Sequence, residues 1–104
     1  MIYPHLRKDI EMIKHIVMWK FREGEEENVE KFLTGLAALQ GVIPELLESK
    51  VSKNVVPGGY DAVLEATFES VDALNRYKND PRHVAVSSLC KSIRESRASV
   101  DYEI

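Results

Sequence analysis

Apolar and polar residues alternate between strand and helix spacing along the chain, and these patterns, with the turn and break signals between them, predict its elements. His15 to Phe21, "HIVMWKF", is rich in β-branched and aromatic residues and apolar on nearly both alternating sets, the pattern of a strand covered on both faces. "GEEENVEKFLTGLAALQG" then sets Val29, Phe32, Leu33, Leu36 and Leu39 at helical spacing. Glutamates lie at the positive end of this helix, and Gly41 is placed to stop it. In "LLESKVSKNVV", Leu47, Val51 and Val55 alternate with Glu48, Lys50, Ser52 and Asn54, which predicts a half-exposed strand. Pro57-Gly58-Gly59 is a turn signal, and "YDAVLEATF" supplies a third strand antiparallel to the second. Ser70 is a suitable cap for the helix "VDALNRYKND", which Pro81 must break or bend. Helical spacing resumes through His83, Val86, Leu89, Cys90 and Ile93, and "ASVDYEI" closes the chain as a fourth strand.

The order β-α-β-β-α-β, with the second helix in two parts, predicts an α+β ferredoxin-like sandwich. Helices on one sheet face leave the other bare, although the first strand is apolar on both. A second copy is the simplest cover, so a homodimer through the open sheet face is expected.

Composition narrows the classes. The chain has 104 residues, 44% hydrophobic and 30% charged, enough for one domain with one core. The formal charge of −3 comes without a basic cluster, which argues against a nucleic-acid partner. No apolar stretch approaches the ~20 residues of a membrane span and no signal-peptide core is present, so a cytoplasmic protein with no membrane partner is expected. Residues 1–11 read as a loosely ordered extension carrying Tyr3 and His5, with Met12 a second plausible start, and 12–104 as the domain. The lone Cys90 rules out an internal disulfide and reads as a buried structural thiol.

The candidate chemistry lies in "RYKNDPRHVAV", where Tyr77 and His83 flank Pro81. His83 suits a general base of near-neutral pKa, and Tyr77 suits a donor to an enolate oxygen. The plain alternative is that Tyr77 packs on the sheet and His83 caps backbone groups released at Pro81. Three dispersed histidines lack the spacing of a metal site, so no metal or other cofactor is expected. The loop at Pro57 lacks the lysine of a phosphate cradle, and no nucleophile elbow is present.

"KHIVMWKF", "GYDAVLEATFES", "YKNDPRH" and the closing "VDY", in that order, resemble the stress-responsive A/B barrel family, also called Dabb domains, over about residues 13–102. The resemblance implies a homodimer whose two sheets face each other to form a dimeric α/β barrel. Within the family, similarity to plant polyketide cyclases implies a cofactor-free aldol closure in which Tyr77 and His83 are catalytic. It also brings in Asp101, expected to orient the His83 ring, and His15 on the strand floor. Val17, Trp19, Leu64 and Ser99 are then the expected substrate-binding residues beside His15, with Trp19 bulky enough to fill the pocket. Haem-degrading and cofactor-free monooxygenase relatives use a tryptophan on the third strand, whereas Trp19 lies on the first. A small-molecule-binding domain without assured catalysis, and a cyclase-like enzyme or lyase, both stand as readings.

Overall fold

The computed structural model describes residues 12–104. The expected extension at 1–11, with Tyr3 and His5, lies outside the described residues. Strand β1 (Ile13–Phe21) leads to helix α1 (Glu26–Ala37), then β2 (Glu48–Lys53), β3 (Ala62–Phe68), α2 (Val71–Asn79), α3 (Pro81–Ile93) and β4 (Arg94–Glu103). The sheet order is β2-β3-β1-β4, with every neighbouring pair antiparallel. This is the ferredoxin-like α+β arrangement that the element order predicts.

Alternation along β1 decides the layers. Ile13, His15, Val17 and Trp19 are buried toward the helices, while Lys14, Ile16, Met18 and Lys20 are only half covered on the other side. The core joins the inner set of β1 to Leu64, Ala66 and Phe68 of β3, to Phe32, Leu33 and Leu36 of α1, and to Leu74, Tyr77, Cys90 and Ile93 of α2 and α3. On the bare side, Ile16 is register partner to Val100, which is 54% exposed, and Tyr102 and Ile104 continue the apolar strip.

The helix break is capped on both sides. Ser70 Oγ accepts from the Ala73 amide at 3.1 Å to start α2. Asp80 ends α2 in extended backbone and begins α3, its carboxylate accepting from the Arg82 amide at 2.8 Å, with Pro81 in the first turn. The Arg82 guanidinium holds the Asp80 carboxyl down at about 2.

Three boundaries differ from the hydrophobic pattern. Helix α1 ends at Ala37 and not at Gly41; the next residues wind through tighter turns, Leu39 N to Leu36 O and Val42 N to Leu39 O, and Gly41 takes φ +84°. Strand β2 stops at Lys53, because the Asn54 side chain bonds Gly58 O, Tyr60 O and the Val56 amide and so organises the loop. Val55 is consequently 94% exposed and is not a core position. Strand β4 begins at Arg94, four residues before the expected start. Phe21 pairs with Arg94 and Lys20 with Ser96, so Glu95 is an extra residue, a bulge against β1.

Candidate functional site

His15 and His83 meet at one small cavity from opposite layers. His15 rises from the middle of β1, and His83 comes down from the first turn of α3. Val17, Trp19, Leu64, Phe32, Leu36, Ser87, Cys90, Arg94 and Arg97 complete a space of about 50 Å³. Trp19 is buried, edge-on to Phe32 with ring centroids 5.1 Å apart and stacked on Phe21 at 6.4 Å. Its bulk keeps the cavity to a few atoms' width.

Each imidazole is anchored by one nitrogen. His15 Nδ1 hydrogen-bonds Asp101 Oδ1, its register partner across the β1–β4 ladder. Asp101 was expected to orient His83; strand pairing delivers it to His15 instead. His83 Nδ1 donates to the Lys78 carbonyl at 3.1 Å. In an unbroken helix that carbonyl would accept from the Arg82 amide, which here is turned to Asp80. The imidazole thus performs the capping expected of a packing residue. It also fixes its own tautomer, since an Nδ1–H donated to a carbonyl leaves Nε2 with the lone pair.

Burial pushes both imidazoles below the ordinary 6.5. At His15 desolvation outweighs the opposing pull of Asp101. At His83 it outweighs the Lys78 carbonyl, with the His15, Arg97 and Lys78 charges adding to the lowering. Both rings are therefore neutral near pH 7. The unfolded chain takes up protons first as pH falls below 6.5, so folding stability is complete above that value and declines as acidity approaches the folded-state pKa values. Urea midpoints are expected to fall between pH 7.5 and 5, and His83→Gln should flatten part of that slope. A wild-type midpoint unchanged across this range would contradict the neutral, desolvated state.

Tyr77 is 1% exposed, its ring centroid 4.4 Å from that of His83 and 4.9 Å from that of Phe68. Among the described residues its hydroxyl has no hydrogen-bond partner. Burial pushes the phenol up to about 12, so it remains protonated and a donor throughout the neutral range. Above pH 10 the unfolded chain loses this proton while the folded chain keeps it. Stability should therefore fall between pH 10 and 12, by about 2–3 kcal/mol at most for this group. Tyr77→Phe is expected to remove that component; identical alkaline unfolding of the two proteins would refute it.

Of the expected substrate-binding set, His15, Val17, Trp19 and Leu64 line the cavity. Ser99 faces Val17 in register but is exposed and receives a 3.4 Å bond from Arg97 Nη1. It does not line the cavity. Arg94 and Arg97 do line it, and the sequence pattern missed them because it started the strand at Ala98. Among the described residues no cluster of three or more His, Cys, Asp or Glu could hold a metal, and no helix is long and apolar enough to cross a membrane.

Residues 13–104 match the family model described as the stress responsive A/B barrel domain. Olivetolic acid cyclase of Cannabis sativa is 30% identical over 95 residues, which cover 86% of this chain and 94% of the cyclase. A dimeric protein of unknown function with a ferredoxin-like fold from Bacteroides fragilis is 33% identical at a TM-score of 0.81, covering 89% of this chain and 96% of that one. A hydroxynitrile lyase from Passiflora edulis reaches the same TM-score of 0.81 at 20% identity, over 91% of this chain and 94% of the lyase. At that identity the likeness speaks for the fold alone.

Proposed function

The chain belongs to the stress responsive A/B barrel domain family, and on that premise we propose that it is a homodimer binding a small carbonyl compound between sheet and helices. The observation that carries the reading is the buried Tyr77 hydroxyl without a partner, beside the neutral His83. A buried donor left unsatisfied costs about 1–3 kcal/mol, a cost a ligand carbonyl would relieve. His83 lines the cavity and Tyr77 packs against that ring without lining the cavity itself, so a ligand carbonyl meets His83 first and reaches the Tyr77 hydroxyl only as the phenol ring shifts. The remainder of the molecule extends toward the half-exposed Arg94 and exposed Arg97. The homodimer is supported by the half-covered apolar strip of β1 and β4 and by the dimeric Bacteroides fragilis relative.

A second reading places catalysis at the same site, favoured by the tautomer of His83. With Nδ1 committed to the Lys78 carbonyl, Nε2 keeps its lone pair on a ring whose basicity burial lowers, and the protonated phenol of Tyr77 packs against that ring. Removing a proton alpha to a carbonyl, with the enolate oxygen held by Tyr77, is the opening step of a cofactor-independent aldol-type cyclisation, and the 30% identical cyclase makes that class the one to test. Asp101 acts here through His15, orienting the floor imidazole.

Methyl acetoacetate is a suitable neutral probe. It should shift the NMR signals of Tyr77 and His83, and Tyr77→Phe should bind it more weakly while the empty protein gains about 1–2 kcal/mol of stability. Deuterium exchange at its alpha carbon should slow by about 10²–10⁴-fold in His83→Gln. Equal exchange in the two proteins would remove catalysis and leave binding; unshifted cavity signals at saturating probe would remove both.

A further inference from the structure

Beyond the carbonyl pocket lies a rim whose charge the overall composition conceals. The chain carries a formal −3, yet the cations next to the two imidazoles are Arg94, Arg97 and Lys78. Among the described residues none of the three is in a salt bridge, while Arg76 and Arg82 elsewhere on the surface are paired with Glu45 and Asp80. Arg97 has only a long bond to Ser99 Oγ, at 3.4 Å. The nearest carboxylate on the same strand face, Asp101, is committed to His15. An unpaired guanidinium pair on the wall of a concave site is a receptor for an oxyanion, because the fork of N–H donors matches two oxygens at once.

The backbone is arranged to present both. In a regular strand residues three apart point to opposite faces. The Glu95 bulge places Arg94 opposite Phe21 and Arg97 opposite Trp19, so both arginines share the helix-side face. Bulges next to functional sites redirect side chains in this way.

We propose that the ligand of this site carries a carboxylate, held by Arg94 and Arg97 at the rim while its keto group lies against His83, on which Tyr77 packs. This deepens the carbonyl-binding reading and rests on it. A β-keto acid is the simplest molecule with that spacing of groups. A phosphate could use the same donors, but the small cavity and the planar, two-oxygen fit favour the carboxylate.

Acetoacetate and methyl acetoacetate share a skeleton and differ in one charge, and their affinities can be compared by NMR titration of the intact protein at fixed ionic strength. Wild type is expected to bind acetoacetate about tenfold or more tightly than the ester. Arg97→Gln and Arg94→Gln should each reduce that preference, and the double variant should abolish it, acetoacetate losing far more affinity than the ester. Both positions are at least partly exposed on an edge strand, and thermal melts of the variants check that folding is intact. Equal affinity of wild type for the two probes would overturn the carboxylate assignment while leaving the carbonyl reading standing. A variant pair that loses both probes equally would also overturn it, as would inorganic phosphate binding more tightly than acetoacetate. Absence of binding by either probe would remove the carbonyl reading and this inference together.

Discussion

Trp19→Ala is expected to lower folding stability by about 3–5 kcal/mol, the range for truncating a large buried aromatic. Trp19 is 4% exposed and makes ring contacts to both Phe21 and Phe32, so β1 and α1 lose one of their aromatic contacts when it goes and keep that of Phe21 with Phe32. The space left would join the existing cavity of about 50 Å³, whose other walls are held by the sheet and cannot collapse onto it. For a domain whose total stability is of the order of 5–15 kcal/mol, such a loss is a large fraction of the whole. Urea unfolding at matched protein concentration checks it, and a loss under about 1 kcal/mol would show that the indole is not well packed. Trp19→Leu should cost less and still open the site. Bulkier β-keto esters that wild type excludes are expected to bind this milder variant; unchanged exclusion would mean that another side chain sets the size limit.

Val100→Lys is expected to abolish dimerisation with little effect on the fold of the single chain. Val100 is 54% exposed in the isolated chain, opposite Ile16 on the open face, so a lysine there disturbs no core contact. In a two-fold dimer each substitution occurs twice, and two unpaired cations would be driven into an apolar contact. With several kcal/mol per buried ion, association should weaken by about 10³-fold or more. Sedimentation should report twice the chain mass for wild type and a single chain for the variant. A variant that remains dimeric would move the interface off this face.

How much of this was legible in the sequence depended on distance along the chain. Ser70, Pro81 and the alternation of His15, Val17 and Trp19 are local signals, and each element they announce is present. The limits of β2 were hidden because Val55 and Val56 read as strand residues, while the bonds made by Asn54 to Gly58 and Tyr60 reach across a loop. The meeting of Tyr77 with His83 follows from a local break and could be foreseen. The choice between His15 and His83 as the partner of Asp101 could not, since it is set by the register of strands 86 residues apart. Arg94 and Arg97 were hidden for the same reason, because a bulge is defined by pairing and leaves no periodicity of its own.

That bulge makes the sign of the potential over the cavity a property of backbone alignment. If the strand slipped by one residue to absorb the irregularity, Glu95 would take the place of Arg94 opposite Phe21, exchanging a cation for an anion without any change of amino acid. Relatives that share every pocket side chain could therefore prefer oppositely charged ligands through a single insertion or deletion near the end of α3. Comparing such proteins by aligned identities alone would overlook the difference.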